Sequence, residues 1–166
     1  MGNKVGNEAQ EKLMDSLGQE LQCVFGQKSE RSFHDLVSAL RSVENTYLDR
    51  LSGNQLLSLE TRRRVAELIL YSATDKGVPF EMCQRAFDDL SLLGFSDLET
   101  KSTVSIIYSK YCLEVGRCQR AIELLEPLEV ELQAELRRRR IKLYRHLLKR
   151  TQDVLKQLRT SKSERS

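Results

Sequence analysis

Tryptophan is absent from the 166 residues, proline occurs twice, glycine eight times, and aromatic residues make up only 6%. A β-sandwich or barrel needs turn residues at regular short intervals, and this chain has too few of them. Its core must be built mainly from Leu, Val and Ile. No apolar run approaches the roughly 18 residues that span a bilayer, and residues 1–20 are polar and acidic, unlike a secretory leader. No Asn-x-Ser/Thr acceptor occurs, and Gly2 is followed at position six by Gly6, where a myristoylated start carries Ser or Thr. Cys23, Cys83, Cys112 and Cys118 form no CxxC pair, and His34 and His146 are the only histidines. Zinc-ligand spacing is therefore missing, and the thiols read as reduced, mostly buried residues of a cytoplasmic or nuclear protein. No cofactor or metal is implied.

Charge is abundant but unevenly placed. Charged residues are 31% of the chain and the net charge is +3. Residues 137–166 hold 12 Lys/Arg against Asp153 and Glu164, a net of +10, whereas residues 1–136 carry −7. Such a split marks an interaction segment or a solvated helix face.

Apolar residues recur at three and four throughout, the period of a half-buried helix. Leu13, Met14, Leu17, Leu21, Val24 and Phe25 predict a helix over 8–25. Phe33, Leu36, Val37, Leu40, Val43, Tyr47, Leu48 and Leu51 predict a second, with Ser32 as N-cap and Asp35 in the capping-box position. A third is expected over about 58–74, a loop over 74–78, a fourth over 79–93, and a fifth over 97–114 capped by Asp97. The sixth starts near Arg117 and can continue past Pro127 to about Arg159. The expected division is an irregular start at 1–7, a helical domain at 8–136, a basic amphipathic helix at 137–159 and an irregular tail at 160–166.

Two stretches match each other. Cys83-Gln84-Arg85-Ala86 repeats as Cys118-Gln119-Arg120-Ala121, and Leu59-Glu60-Thr61 repeats as Leu98-Glu99-Thr100. A mid-thirties period of two helices is that of a helical repeat array. The run from Tyr111 to Leu125, with Gly116, Ala121 and Ile122 in identity and spacing, resembles the middle of a tetratricopeptide repeat. Cys118 stands where that family usually has an aromatic residue, and Pro127 falls early. The resemblance covers about 97–128 and, more weakly, 58–93. It implies an all-α fold of three helical hairpins in a short array, with a long basic C-terminal helix. The alternative is an irregular six-helix bundle. It implies packing roles for Ala86, Gly116 and Ala121, and a protein-binding concave face. Some members grip a C-terminal carboxylate with Lys and Asn, but the matching positions here are Ile106 and Lys110.

No catalytic constellation stands out. His34 beside Ser32 and Asp35, and the pair Asp88-Asp89, are neighbours in sequence that one helix points in different directions. Phosphate-loop, dinucleotide and zinc-protease motifs are missing. The chain is thus read as a non-catalytic adaptor.

The last helix offers two surfaces. Ile141, Tyr144, Leu148, Thr151, Leu155 and Leu158 keep a/d spacing, flanked by Leu147 and Val154. Tyr144, Leu147, Leu148, Val154, Leu155 and Leu158 are the expected partner-binding face, for capping the array, a partner protein or self-association. Arg137, Arg138, Arg139 and Arg140, with Lys142 and Arg145, are the expected targeting or acidic-partner contact. A nuclear or nucleic-acid-associated factor working through 137–162 is the alternative, although Tyr144 is the only aromatic there.

Overall fold

The computed structural model describes residues 2–74 and 79–165, with side chains from residue 8 to residue 164. The fold is all-α. Among the described residues seven helices follow in order: α1 Gly2–Gly26, α2 Phe33–Arg50, α3 Gln55–Ser72, α4 Phe80–Leu93, α5 Leu98–Glu114, α6 Cys118–Arg139 and α7 Lys142–Arg165. No strand occurs among the described residues. The loop expected at 74–78 lies, from Asp75 to Val78, outside the described residues, as does Gly77 of the earlier repeat copy.

Helix boundaries follow local chemistry. Ser32 Oγ accepts from the Asp35 N–H at 3.1 Å and caps α2. Asp97 caps α5 through the Thr100 N–H at 2.7 Å. Asn54 caps α3 through the Leu57 N–H at 3.2 Å, so α3 starts at Gln55 and not near residue 58. Gly116 ends α5 at φ 80°, with the Arg117 N–H bonded to the Cys112 carbonyl at 2.8 Å and its own N–H to Leu113 at 3.3 Å. That bond pair is the glycine-closed helix end, and a Cβ would strain it. Helix α6 runs through Pro127, which is exposed, so water can take the carbonyl its missing N–H leaves free. Helix extends into the outer segments expected to be disordered, α1 starting at Gly2 and α7 running to Arg165.

The main departure from expectation is at Arg140-Ile141. The sequence reads as one helix from Arg117 to Arg159, roughly 60 Å at 1.5 Å per residue. The chain instead turns there, giving seven helices where six were expected. Arg140 adopts the left-handed conformation, φ 44° and ψ 41°, and its N–H closes on the Leu136 carbonyl at 3.0 Å.

The helices fall into two units, whose boundary runs within α4. In the first unit α1, α2 and α3 all pack on one another, around Leu17, Leu21, Leu36, Leu40, Tyr47 and Val65. The end of α4 (Asp89–Gly94) belongs here. Arg63 donates to the Gly94 carbonyl at 3.0 Å and the Leu93 carbonyl at 3.1 Å, placing a cation on the negative end of that helix while it pairs with Glu60.

In the second unit α5, α6 and α7 likewise pack on one another. Helix α5 is buried on nearly every side, with Ser102, Ser105 and Ser109 among Val104, Ile106, Ile107 and Tyr108. Phe87, from the part of α4 in this unit, stacks on Tyr108 with centroids 4.5 Å apart. Arg159–Glu126 at 3.3 Å ties α7 to α6, and Lys101–Glu131 at 2.8 Å ties α5 to α6.

Arg140 carries the left-handed strain of a side chain in a conformation suited to glycine. Arg140→Gly is expected to stabilise the protein by up to about 1 kcal/mol, raising the melting temperature by about 2–4 °C. A lower melting temperature would contradict a tight left-handed turn at this position.

Candidate functional site

The apolar face expected to bind a partner is used inside the second unit. Leu147, Val154, Leu155 and Leu158 are at most 3% exposed, and Tyr144 and Leu148 are half-buried. The turn at Arg140 folds α7 back so that it packs on α5 and α6, and Leu125, Leu128 and Leu132 of α6 are buried as well. Thr151 is fully buried and satisfies its hydroxyl on the Leu147 carbonyl at 2.8 Å. The face is therefore closed to a partner helix or a second copy in this fold. Ile141, placed by spacing on the same stripe, instead sits in the turn and is 38% exposed.

The basic residues stay outside. Arg137, Arg138, Arg139, Arg140, Lys142 and Arg145 are all exposed. Arg138 and Arg139 lean on Glu135, at 3.3 and 4.0 Å. Two shallow clefts of about 410 and 420 Å³ open at the α6–α7 turn. Both contain Arg140 and Arg145; Leu136 and Arg137 complete one, and Lys142, His146 and Lys149 the other.

The residues to which the resemblance gave packing roles are buried or in a turn. Ala86 and Ala121 are at most 1% exposed, and Gly116 makes the α5 turn. Ile106 is fully buried and Lys110 exposed, so the carboxylate clamp positions do not make a paired site.

The first unit also carries a surface trough. A groove of about 680 Å³ lies between α1 and α3, lined by Met14, Gly18, Leu21, Arg64, Leu68 and Tyr71 among others. A second cleft of about 440 Å³ shares Met14 and Asp15 and reaches Leu56, which is 79% exposed. Together they follow α1 from Gln10 to Gln22, roughly 18 Å. Gly18 keeps the wall low, for a Cβ there would come within 3.7 Å of the Arg64 guanidinium. The glycine inside an amphipathic run was the signal that could have located it.

The carboxylates of Asp88 and Asp89 are separated chemically. Asp88 pairs with Arg120 at 2.7 Å in the second unit, and Asp89 lies 3.7 Å from Arg41 in the first. Arg41 also holds Glu44, which is 7% exposed, at 3.1 and 3.2 Å. Burial raises the Glu44 carboxyl above the ordinary carboxylate range, and Arg41 offsets this only in part. Ser32 Oγ is engaged as a helix cap and His34 is exposed, so no triad forms there. Among the described residues, no three His, Cys, Asp or Glu side chains group as a metal-ligand set. Cys83, Cys112 and Cys118 are buried and Cys23 is exposed, in keeping with mostly buried thiols. Burial pushes the Cys83 thiol up to about 12 and also raises Cys112.

Two outcomes follow from these shifts. Because the folded state binds the Glu44 proton more tightly than the unfolded chain, this site's contribution is fully present below the ordinary carboxylate range. It is lost as pH rises through the raised value. Glu44→Gln should therefore gain stability relative to the parent between pH 4 and pH 7, read by melting; a pH-independent difference would refute the desolvation. In native thiol titration, Cys23 should react first and alone, the others only on unfolding; rapid reaction of several thiols would contradict their burial. No family model, curated protein or solved structure matches this chain.

Proposed function

We propose that the chain is a non-catalytic adaptor, built as a tetratricopeptide-like helical-hairpin array, that binds a protein segment in the α1/α3 groove. The groove is the observation that carries this reading. Its floor is apolar at Met14 and Leu21, and its walls add Leu68, Tyr71, Asp15, Arg64 and Glu67. Such a trough accommodates an amphipathic helix, whose anchors recur at three and four residues. The exposed Leu56 extends the apolar track at one end.

The array reading has two supports. Mutual packing of three consecutive helices, α1–α3 in one unit and α5–α7 in the other, is the neighbour pattern of a hairpin followed by the first helix of the next. The two sequence copies also share a burial pattern: Cys83 and Ala86 are buried with Arg85 exposed, and Cys118 and Ala121 are buried with Arg120 exposed. No helix of the described residues is long and apolar enough to cross a membrane. A reducing setting, cytoplasmic or nuclear, suits four free thiols. The alternative, a nuclear or nucleic-acid factor, draws on the exposed cations of 137–150.

The test fills the groove without touching the core. Gly18→Leu and Leu68→Glu should fold as the parent does, Gly18→Leu melting no lower because glycine is a poor helix former. Both should lose a partner captured by the parent, with affinity falling about 30-fold, as expected for a central contact worth about 2 kcal/mol. Equal capture by parent and variants would remove the groove from the reading.

A further inference from the structure

The α6–α7 turn joins two properties that a simple solvated helix end does not need together. One is uncompensated positive charge. Residues 137–152 contain eight Lys/Arg and no Asp or Glu. Of these, Arg138 and Arg139 have an acidic neighbour among the described residues, Glu135. Arg137, Arg140, Lys142, Arg145 and Lys149 have no carboxylate within ion-pair distance among the described residues. The other property is an aliphatic tip: Ile141 and Leu143 are each 38% exposed, interleaved with Arg140 and Lys142. They are held there because α7's inward positions are already filled by Leu147, Val154, Leu155 and Leu158.

We propose that this corner docks on an anionic lipid bilayer. Ile141 and Leu143 enter the headgroup boundary, and Arg137, Arg140, Lys142 and Arg145 meet lipid phosphate and carboxylate groups. Burial of aliphatic side chains and attraction to anionic headgroups are the two components of surface binding, and each alone is weak. A nucleic acid would use the same cations but would not reward the aliphatic pair. It would instead use exposed Phe, Tyr or Trp rings to stack on its bases, and Tyr144, which alone of those types occurs in this segment, is half-buried. The tight turn at Arg140 presents tip and cations as one preformed surface, so little ordering is lost on docking. The inference is independent of the α1/α3 groove.

The experiment uses the full chain and co-sedimentation with vesicles at about 0.1 M salt, where exposed charges are already partly screened. The parent should bind vesicles of phosphatidylcholine and phosphatidylserine and not those of phosphatidylcholine alone. Changing Arg137, Arg140, Lys142 and Arg145 to Gln should reduce binding about tenfold or more. Changing the three arginines to Lys should retain it. Ile141→Ser with Leu143→Ser, which leaves every charge in place, should weaken it several-fold. All variants should melt with the parent, since exposed positions contribute little to the fold. Failure of the parent to bind anionic vesicles overturns the proposal. So does undiminished binding by the double Ser variant, or tighter binding of a DNA or RNA oligomer than of vesicles at the same salt.

Discussion

One left-handed residue determines what the C-terminal third of the molecule does with its apolar surface. Arg140, at φ 44°, reverses the chain between α6 and α7. Had the helix continued, Leu147, Val154, Leu155 and Leu158 would have formed a hydrophobic stripe beyond the last helix they could cover. Reversal packs α7 on α5 and α6, where Leu125, Leu128 and Leu132 are buried as well, and the three helices form one core. Burying a leucine is worth about 1.5–3 kcal/mol, while one non-glycine left-handed residue costs about 1–2 kcal/mol. Several buried leucines outweigh the strained turn.

The same reversal sorts the cations. On a straight helix, four consecutive arginines cover every side of a turn, and some would face whatever the helix packs upon. At a corner the backbone itself projects outward, so Arg137–Arg140 reach water together. No guanidinium then has to be desolvated, which would be costly without a partner. The corner thus gathers charge that the rest of the chain disperses in ion pairs such as Arg120–Asp88 and Arg159–Glu126.

In the first unit the governing constraint is of another kind. Helices α1 and α3 pack on each other but leave a trough along Gly18, because a missing side chain lowers one wall. Arg63 and Arg64 leave α3 in different directions. Arg63 neutralises the end of α4 at Leu93 and Gly94, whereas Arg64 pairs with Glu60 and lines the trough. Structural and surface roles are divided between neighbours by the hundred-degree step of the helix. Arg41, set between Glu44 and Asp89, shows the same economy of charge in a partly buried place.

The sequence by itself determined the all-α class, the positions of α2, α4 and α5 to within a residue or two, and the caps at Ser32 and Asp97. These are local properties: spacing at three and four, a hydroxyl or carboxylate at a helix start, and glycine at Gly116 each act within a few residues. It also identified the apolar stripe of α7 and the basic turn beside it. It did not determine whether the stripe would face a partner or the chain's own core, because that depends on residues of other helices, α5 and α6, well beyond the reach of local spacing. The turn at Arg140-Ile141 carries neither Gly nor Pro, so only the burial gained by packing α7 on α6 could favour it. The burial of α5 on nearly all sides was equally hidden, since serines at 102, 105 and 109 read as polar until neighbouring helices close over them. Tertiary packing, in which apolar area removed from water exceeds local preference, made those choices.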